Sequence, residues 1–327
     1  MTTLPLDAAM LDEARRFNRK LALAPRFGIR HRWAAQAVQG LLALAQLGAD
    51  RKLALAGIAV RQAVAQADGL RVPVRVLRPS AGPARAVVLE IHGGGWVIGN
   101  ARMDDGLNAA LVHACGVAVV AVDYRLLPGV PMQAAMDDCL AAARWLLDGG
   151  LPDLAGLPVV LLGESAGGHL AAATLLRLQA WPALLARVAG AVLYYGVYDL
   201  TGTPSVRAAT RETLVLDGPG IVNGLRHLTP EVSDAARAAP PFSPLHGDLA
   251  GMPPALMLAG ALDPLRDDTL LMARRWAACA PVECHLLPEA PHGFIRFPTQ
   301  MARVAQARVH AWIDERIAAV ESEAAWA

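Results

Sequence analysis

The sequence predicts an α/β protein whose mostly parallel sheet is covered by helices on both faces. Two observations predict it. From about residue 70 onward short apolar runs alternate with helical patterns, the order that builds a parallel sheet with crossover helices. Several of those runs are continuous rather than alternating, as expected for strands buried on both faces.

In chain order the strand candidates are residues 71–77, 86–91, 117–122, 158–162, 190–195, 255–259 and 283–287. Helices are expected at 103–115, 131–147, 166–178, 265–279 and about 299–319. Residues 58–64 should pair with 71–77 as an antiparallel hairpin at one edge, turning at Asp68-Gly69, which makes eight strands. Two stretches break the alternation. Residues 1–50 carry helical periodicity with no strand, and residues 200–240 are polar, rich in Arg, Thr and Pro, and too long for an ordinary connection. An insertion there lies over the carboxyl ends of the strands, where open α/β sheets bind ligands. Both stretches are read as parts of one helical cap.

Composition narrows the function classes. Hydrophobic residues make up 54% of the 327 positions, enough for a large core, and mean hydropathy is +0.34. No run reaches the roughly 18 uninterrupted apolar residues that span a bilayer. The most apolar early segment, residues 33–47, is broken by Gln36, Gln39 and Gln46 and reads as an amphipathic helix. Asp7, Asp12 and Glu13 interrupt the place where the apolar core of a secretory leader would lie, so a cytoplasmic protein is expected. Cys115, Cys139, Cys279 and Cys284 show neither metal-ligand spacing nor a disulfide framework, and are read as buried thiols. A net charge of +1 without a basic run gives no reason to expect a nucleic-acid partner. No metal or cofactor signature is present.

The chemistry-bearing motif is Gly163-Glu164-Ser165-Ala166-Gly167, which follows an apolar strand and precedes a run of small residues suited to a helix. A strand-to-helix turn this sharp strains the serine backbone, and glycine two residues away on either side avoids the clashes. The turn exposes the hydroxyl and aims a helix N-terminus at it, which favours negative charge there. Ser165 is therefore the expected nucleophile. A second strand ends in His92-Gly93-Gly94-Gly95-Trp96. Consecutive glycines cost entropy on ordering, but they let backbone N–H groups approach a substrate oxygen. Gly93 and Gly94, with Ala166, are the expected oxyanion donors.

His92-Gly93-Gly94-Gly95 resembles the HGGG motif of the hormone-sensitive-lipase-like esterases, a branch of the α/β-hydrolase fold. Asp123-Tyr124-Arg125-Leu126-Leu127-Pro128 resembles that branch's second signature, and Gly163-Glu164-Ser165-Ala166-Gly167-Gly168 its nucleophile motif, with Glu where many members carry Asp. The likeness runs from about residue 70 to the C-terminus. It implies an α/β-hydrolase of 51–199 and 241–327 as catalytic domain, with 1–50 and the insertion 200–240 as the cap. It also implies a carboxylic-ester hydrolase of short- to medium-chain acyl esters, and a homodimer. Two departures stand out: Gly129 where the second signature has an acid, expected to loosen a structural hydrogen bond, and Trp96 where Phe is common, expected to narrow the acyl pocket.

A serine hydroxyl needs a positioned base, and the base needs a third group to hold its tautomer; in this fold the order is Ser, acid, His. His292 lies in a loop after the last strand, within a family-like His-Gly-Phe run, and is the expected base. His169 lies one turn into the helix after Ser165 and should not reach it; His285 falls in a strand, His310 in a helix, and His227 and His246 in the insertion and its exit. Asp199 and Asp263 both follow strands. The run at Asp263-Pro264 resembles the family's acid motif, so Asp263 is the expected acid, with a helix cap as its other reading and Asp267 as reserve. Asp123 precedes Ser165 in the chain and is expected, with Tyr124 and Arg125, to organise the loop beside the oxyanion hole. Trp96, Tyr195 and Phe294 are candidates to wall the substrate pocket, helped by Leu41, Leu42 and Leu44 of the cap.

Hydrolysis of a small-molecule ester is the leading function. The same machinery could cleave an amide, as in arylformamidases, or pass the acyl group to another acceptor. A non-catalytic small-molecule receptor is the reading from another class.

Overall fold

The computed structural model describes residues 3–28 and 32–326. Its strands are β1 (Ile58–Ala67), β2 (Leu70–Pro79), β3 (Val87–Ile91), β4 (Ala118–Val122), β5 (Val159–Glu164), β6 (Val188–Tyr194), β7 (Ala255–Gly260) and β8 (Val282–Leu287). They form one eight-stranded sheet in the order β1-β2-β4-β3-β5-β6-β7-β8. β1 and β2 form the expected hairpin, joined by Asp68 and Gly69, both at positive φ (51° and 76°), as a two-residue turn between twisted strands requires. β2 also runs antiparallel to β4, and from β4 to β8 every pairing is parallel.

The helices are α1 (Ala8–Leu21), α2 (Arg32–Ala45), α3 (Ala49–Leu55), α4 (Asp105–Cys115), α5 (Met132–Leu147), α6 (Ala166–Leu178), α7 (Pro182–Leu185), α8 (Pro204–Arg207), α9 (Ile221–Leu228), α10 (Asp234–Arg237), α11 (Arg266–Trp276) and α12 (Gln300–Trp326). α12 runs past the expected end near 319, since Glu, Ser and Ala follow without a Gly or Pro to stop it.

Two apolar cores explain the continuous strand runs. Val87, Leu89 and Ile91 of β3 point to one face and pack with Met132, Met136 and Cys139 of α5 and Leu170 of α6. Val88, with Val119, Val160 and Val192, points to the other, under Leu111 and Val112 of α4 and Val309, Trp312 and Ile313 of α12. Each such Val or Leu contributes about 1.5–3 kcal/mol when fully buried, so an interrupted run would leave one face uncovered.

The N-terminal stretch serves both body and roof. α1 buries Ala14 in the second core, and its Asn18 donates to Glu289 O at 2.8 Å, while Arg15 pairs with Glu289 at 2.9 Å. Beyond it, Phe27 bridges the insertion: Phe27 N–H donates to Val215 O (2.6 Å) and Asp217 N–H to Phe27 O (2.8 Å). α2 grips the loop after the glycines, Gln39 exchanging two hydrogen bonds with the Gly99 backbone, each 2.8 Å. Among the described residues no helix is long and apolar enough to cross a membrane. All four cysteines are free; Cys115 and Cys139 are buried, whereas Cys279, expected inside, is exposed after the end of α11.

Candidate active site

β5 is buried along its whole length and ends at Glu164, so the chain must reverse at once into α6. Ser165 makes that reversal at φ 52° and ψ −118°, a conformation that costs a non-glycine residue on the order of 1–3 kcal/mol. Its flanks have no room for side chains. A Cβ on Gly163 would lie 2.3 Å from Gly167 O, and one on Gly167 would lie 1.9 Å from Ile91 O.

The structure brings Ser165, His292 and Asp263 together. The Ser165 hydroxyl meets His292 Nε2 at 2.9 Å, and His292 Nδ1 meets Asp263 Oδ2 at 2.8 Å. Asp263 also holds its own loop, Oδ1 accepting the Leu265 N–H at 2.8 Å. Asp263 is not the helix cap that the sequence offered as its other reading: α11 starts at Arg266 with Leu265 before it, and the Oδ1 contact is a loop bond two residues on, which leaves Oδ2 to face His292. The other acids are engaged elsewhere. Asp199 faces His246 Nε2 (3.3 Å) and accepts from Thr201, and Asp267 accepts the Ser205 N–H at 2.9 Å. Asp268, which no sequence motif marks, is fully buried and accepts the Tyr198 and Asp199 N–H groups at 2.7 and 3.0 Å, tying α11 to the start of the insertion. Its burial pushes its carboxyl up to about 7 against those hydrogen bonds.

The glycine loop packs beside the serine. Gly94 and Gly95 border the cavity at Ser165 and are partly exposed, whereas Gly93 is buried, turned against the Glu164 carboxylate. Gly94 takes φ 97°, and a Cβ there would meet Ile98 O at 2.1 Å. Behind the loop Tyr124 stacks on His92 (ring centroids 4.3 Å apart), and its hydroxyl lies 3.0 Å from His92 O and 3.2 Å from Gly93 O. Burial lowers the His92 imidazole to about 4, so it is a neutral spacer. Asp123 accepts the Ala101 N–H at 3.2 Å, so Asp123 and Tyr124 tie this loop as expected, whereas Arg125 turns away from it to pair with Asp138 of α5 at 2.8 Å. Ala166 opens α6, and its N–H is among the donors that a helix's first turn leaves without an intrahelical partner.

His169 does not reach Ser165. Burial lowers its imidazole to about 4, and the neutral ring is fixed by Trp96 Nε1–H donating to Nδ1 (3.3 Å) and by Phe242 O at Nε2 (2.9 Å). Trp96 is thereby held as one wall of a cavity of about 300 Å³ that opens on Ser165 and His292. Tyr195 lines it too. Phe294 does not: the short turn after His292 folds it inward beside Tyr195 (5.6 Å between centroids), and Phe297 takes the cavity position. Leu41, Leu42 and Leu44 do not line it either, and Leu41 and Leu44 are 67% and 64% exposed. The roof comes instead from Phe27, Leu216, Ile221 and Leu225, so the apolar lining expected of the cap is present but made by other residues.

A buried ionic group behind the serine was not legible in the sequence. Arg296 Nε donates to both Glu164 oxygens at 3.1 Å, and its Nη2 contacts Glu164 and reaches Asp104 at 2.5 Å. The Tyr195 hydroxyl donates to Glu164 Oε2 at 2.8 Å. Burial alone would raise Glu164, but Arg296 and Tyr195 hold it below the usual carboxylate range. Burial and the Glu164 charge push Asp104 up to about 7, and burial with both neighbouring acids raises Glu90 well above the usual carboxylate range. Among the described residues no His, Cys, Asp and Glu cluster is arranged to hold a metal ion.

Comparison with known proteins agrees with this architecture. Residues 88–296 match the model of a family described as alpha/beta hydrolase fold. Carboxylesterase NlhH of Mycobacterium tuberculosis is 34% identical over 258 residues, 73% of this chain and 76% of that protein. Ethyl acetate hydrolase of Pseudomonas putida is 33% identical over 237 residues, 70% of this chain and 73% of that protein. The crystal structure of esterase LipW from Mycobacterium marinum superposes with a TM-score of 0.80 at 28% identity, covering 94% of this chain and 96% of that one. The chain therefore belongs to the α/β-hydrolase fold family, as a carboxylic-ester hydrolase of its hormone-sensitive-lipase-like branch.

Proposed function

We propose that Ser165, His292 and Asp263 are the catalytic triad of a serine carboxylesterase for short- to medium-chain acyl esters. The observation that carries this is the unbroken chain from Asp263 through His292 to Ser165, at 2.8 and 2.9 Å, opening on an apolar cavity. His292 Nε2 takes the proton from Ser165 as Oγ attacks the ester carbonyl, and Asp263 steadies the imidazolium. The developing oxyanion rests on the N–H groups of Ala166, Gly94 and Gly95. Gly95 replaces the Gly93 expected from the sequence, because Gly93 is packed against Glu164 instead of bordering the cavity. His292 then protonates the leaving alcohol, and water, deprotonated by the same imidazole, releases the acyl group.

The chain-length reading is supported by the cavity volume, the Trp96 wall and a relative named for ethyl acetate. Ser165→Ala is expected to lower turnover of p-nitrophenyl acetate and butyrate by about 10⁴-fold or more, and wild-type turnover in that variant would refute the triad. Direct competition between matched ester and amide substrates, and an added alcohol acceptor, separates hydrolysis from amide cleavage and acyl transfer. Labelling of Ser165 by a fluorophosphonate separates an enzyme from a receptor. A cytoplasmic homodimer completes the proposal. The free thiols support the first, the family resemblance supports the second, and light scattering on the purified protein reads the second directly.

A further inference from the structure

We propose that Glu164, acting through Tyr195 and Arg296, is the positioning residue that holds His292 in register with Ser165. The inference rests on the triad reading above. Base and nucleophile sit on loops from opposite parts of the chain, and their 2.9 Å contact needs something to fix the distance between those loops. Glu164 does so from both sides. It precedes Ser165, so its backbone moves with the nucleophile. Its two oxygens accept from Arg296, four residues beyond His292, and this pair ties the base's loop to the nucleophile's strand. Oε2 also accepts the Tyr195 hydroxyl, and the Tyr195 ring lies edge-on to the His292 imidazole with centroids 4.8 Å apart.

Two further observations show that the surroundings are fitted to this carboxylate. A Cβ on Gly93 would lie 2.7 Å from Glu164 Oε1, so the first glycine of the loop is shaped around it. Tyr195 is held at φ 36°, an uncommon conformation for a tyrosine, and its N–H is anchored on Leu258 O at 2.7 Å. Asp104 gives Arg296 a second acidic partner and holds the guanidinium in place. An aspartate at 164, one methylene shorter, draws the carboxylate back from Tyr195 and Arg296 at the same backbone position.

The test compares Glu164→Gln, Glu164→Asp and Tyr195→Phe, with rates normalised to active sites titrated by a fluorophosphonate. Glu164→Gln and Glu164→Asp are expected to lower kcat by about 10- to 100-fold, the scale of a small misplacement of reacting groups, with KM nearly unchanged. Tyr195→Phe keeps the ring, removes only the hydroxyl, and is expected to lose about 3- to 10-fold in kcat. A purely structural role would lower the melting temperature and the number of titrated sites, leaving kcat per site unchanged, and that result overturns the proposal. Should the Glu164 variants not fold, an unchanged kcat per site in Tyr195→Phe overturns it alone. Ser165→Ala run in parallel keeps the two readings apart: near-wild-type turnover there refutes the triad, whereas a Ser165→Ala lowered by about 10⁴-fold beside unaffected Glu164 and Tyr195 variants refutes only the positioning role.

Discussion

Asp263→Asn separates the orientation of the base from its burial. Asparagine has the shape of aspartate but only one acceptor oxygen, and two donors compete for it: the Leu265 N–H and the His292 Nδ1–H, each 2.8 Å from the native carboxylate. The Leu265 amide cannot change its proton, so the asparagine oxygen turns to it and the NH₂ group faces His292. That group only donates, which forces Nδ1 to be unprotonated and moves the ring proton to Nε2. There it points at Ser165 Oγ, 2.9 Å away, and a nitrogen already protonated cannot accept the serine proton. A wrong tautomer of this kind costs about 10⁴ in kcat, or roughly 5 kcal/mol of barrier at 1.36 kcal/mol per decade. Stability should change far less, by about 1 kcal/mol, because the Leu265 bond and the packing survive. The assay is kcat on p-nitrophenyl butyrate beside urea unfolding of the same preparation. Activity within about 10-fold of wild type would refute the assignment of Asp263 as the group that sets the tautomer.

Three other substitutions probe the turn, the wall and the buried acids. Gly167→Ala places a methyl 1.9 Å from Ile91 O, between two rigid backbones, and is expected to destabilise by more than about 4 kcal/mol, read as loss of cooperative urea unfolding. Trp96→Ala opens one wall of the cavity and frees His169; the ratio of kcat/KM for p-nitrophenyl octanoate to that for acetate should rise by about 10-fold, and an unchanged ratio argues against Trp96 as an acyl wall. Asp104 lies at about 7 in the fold against an ordinary 3.8, so its protonated form contributes stability that is present below the ordinary value and lost as pH rises towards 7. Asp104→Asn keeps a neutral side chain throughout. Its unfolding free energy relative to wild type should therefore climb between about pH 4 and pH 7, and a flat difference would contradict a raised Asp104.

What could be read from the sequence is what local geometry enforces. Strand–turn–helix at Ser165 and strand–glycine loop at 93–95 each demand particular residues at fixed offsets, so their chemistry was visible before any tertiary contact. The order of acid and base followed once the fold was named. The walls of the cavity obey no such rule. Leu41 and Leu44 have the polarity of a lining but face outward, while Phe27 and Leu216 became neighbours only through a bridge between segments far apart in the chain. Phe294 and Phe297 are equally apolar, and which one meets the cavity is decided by a single short turn. The Glu164–Arg296–Asp104 group was hidden for a related reason: its charges come from three distant segments, and each alone looks like a solvated side chain. The departure of Glu164 from the more common Asp was the one available signal.

The seam at Phe27 also bears on how substrate reaches the serine. The two backbone hydrogen bonds that join it to Val215 and Asp217 are worth a net 0.5–1.5 kcal/mol each, about 1–3 kcal/mol together. For that seam alone an unzipped state would be populated at roughly 1–15% without any ligand. Those two bonds fasten the roof lightly, and the apolar side chains of Phe27, Leu216, Ile221 and Leu225 packed over the core supply the rest of the closure. An occupant that fills the cavity adds its own buried surface to that closure.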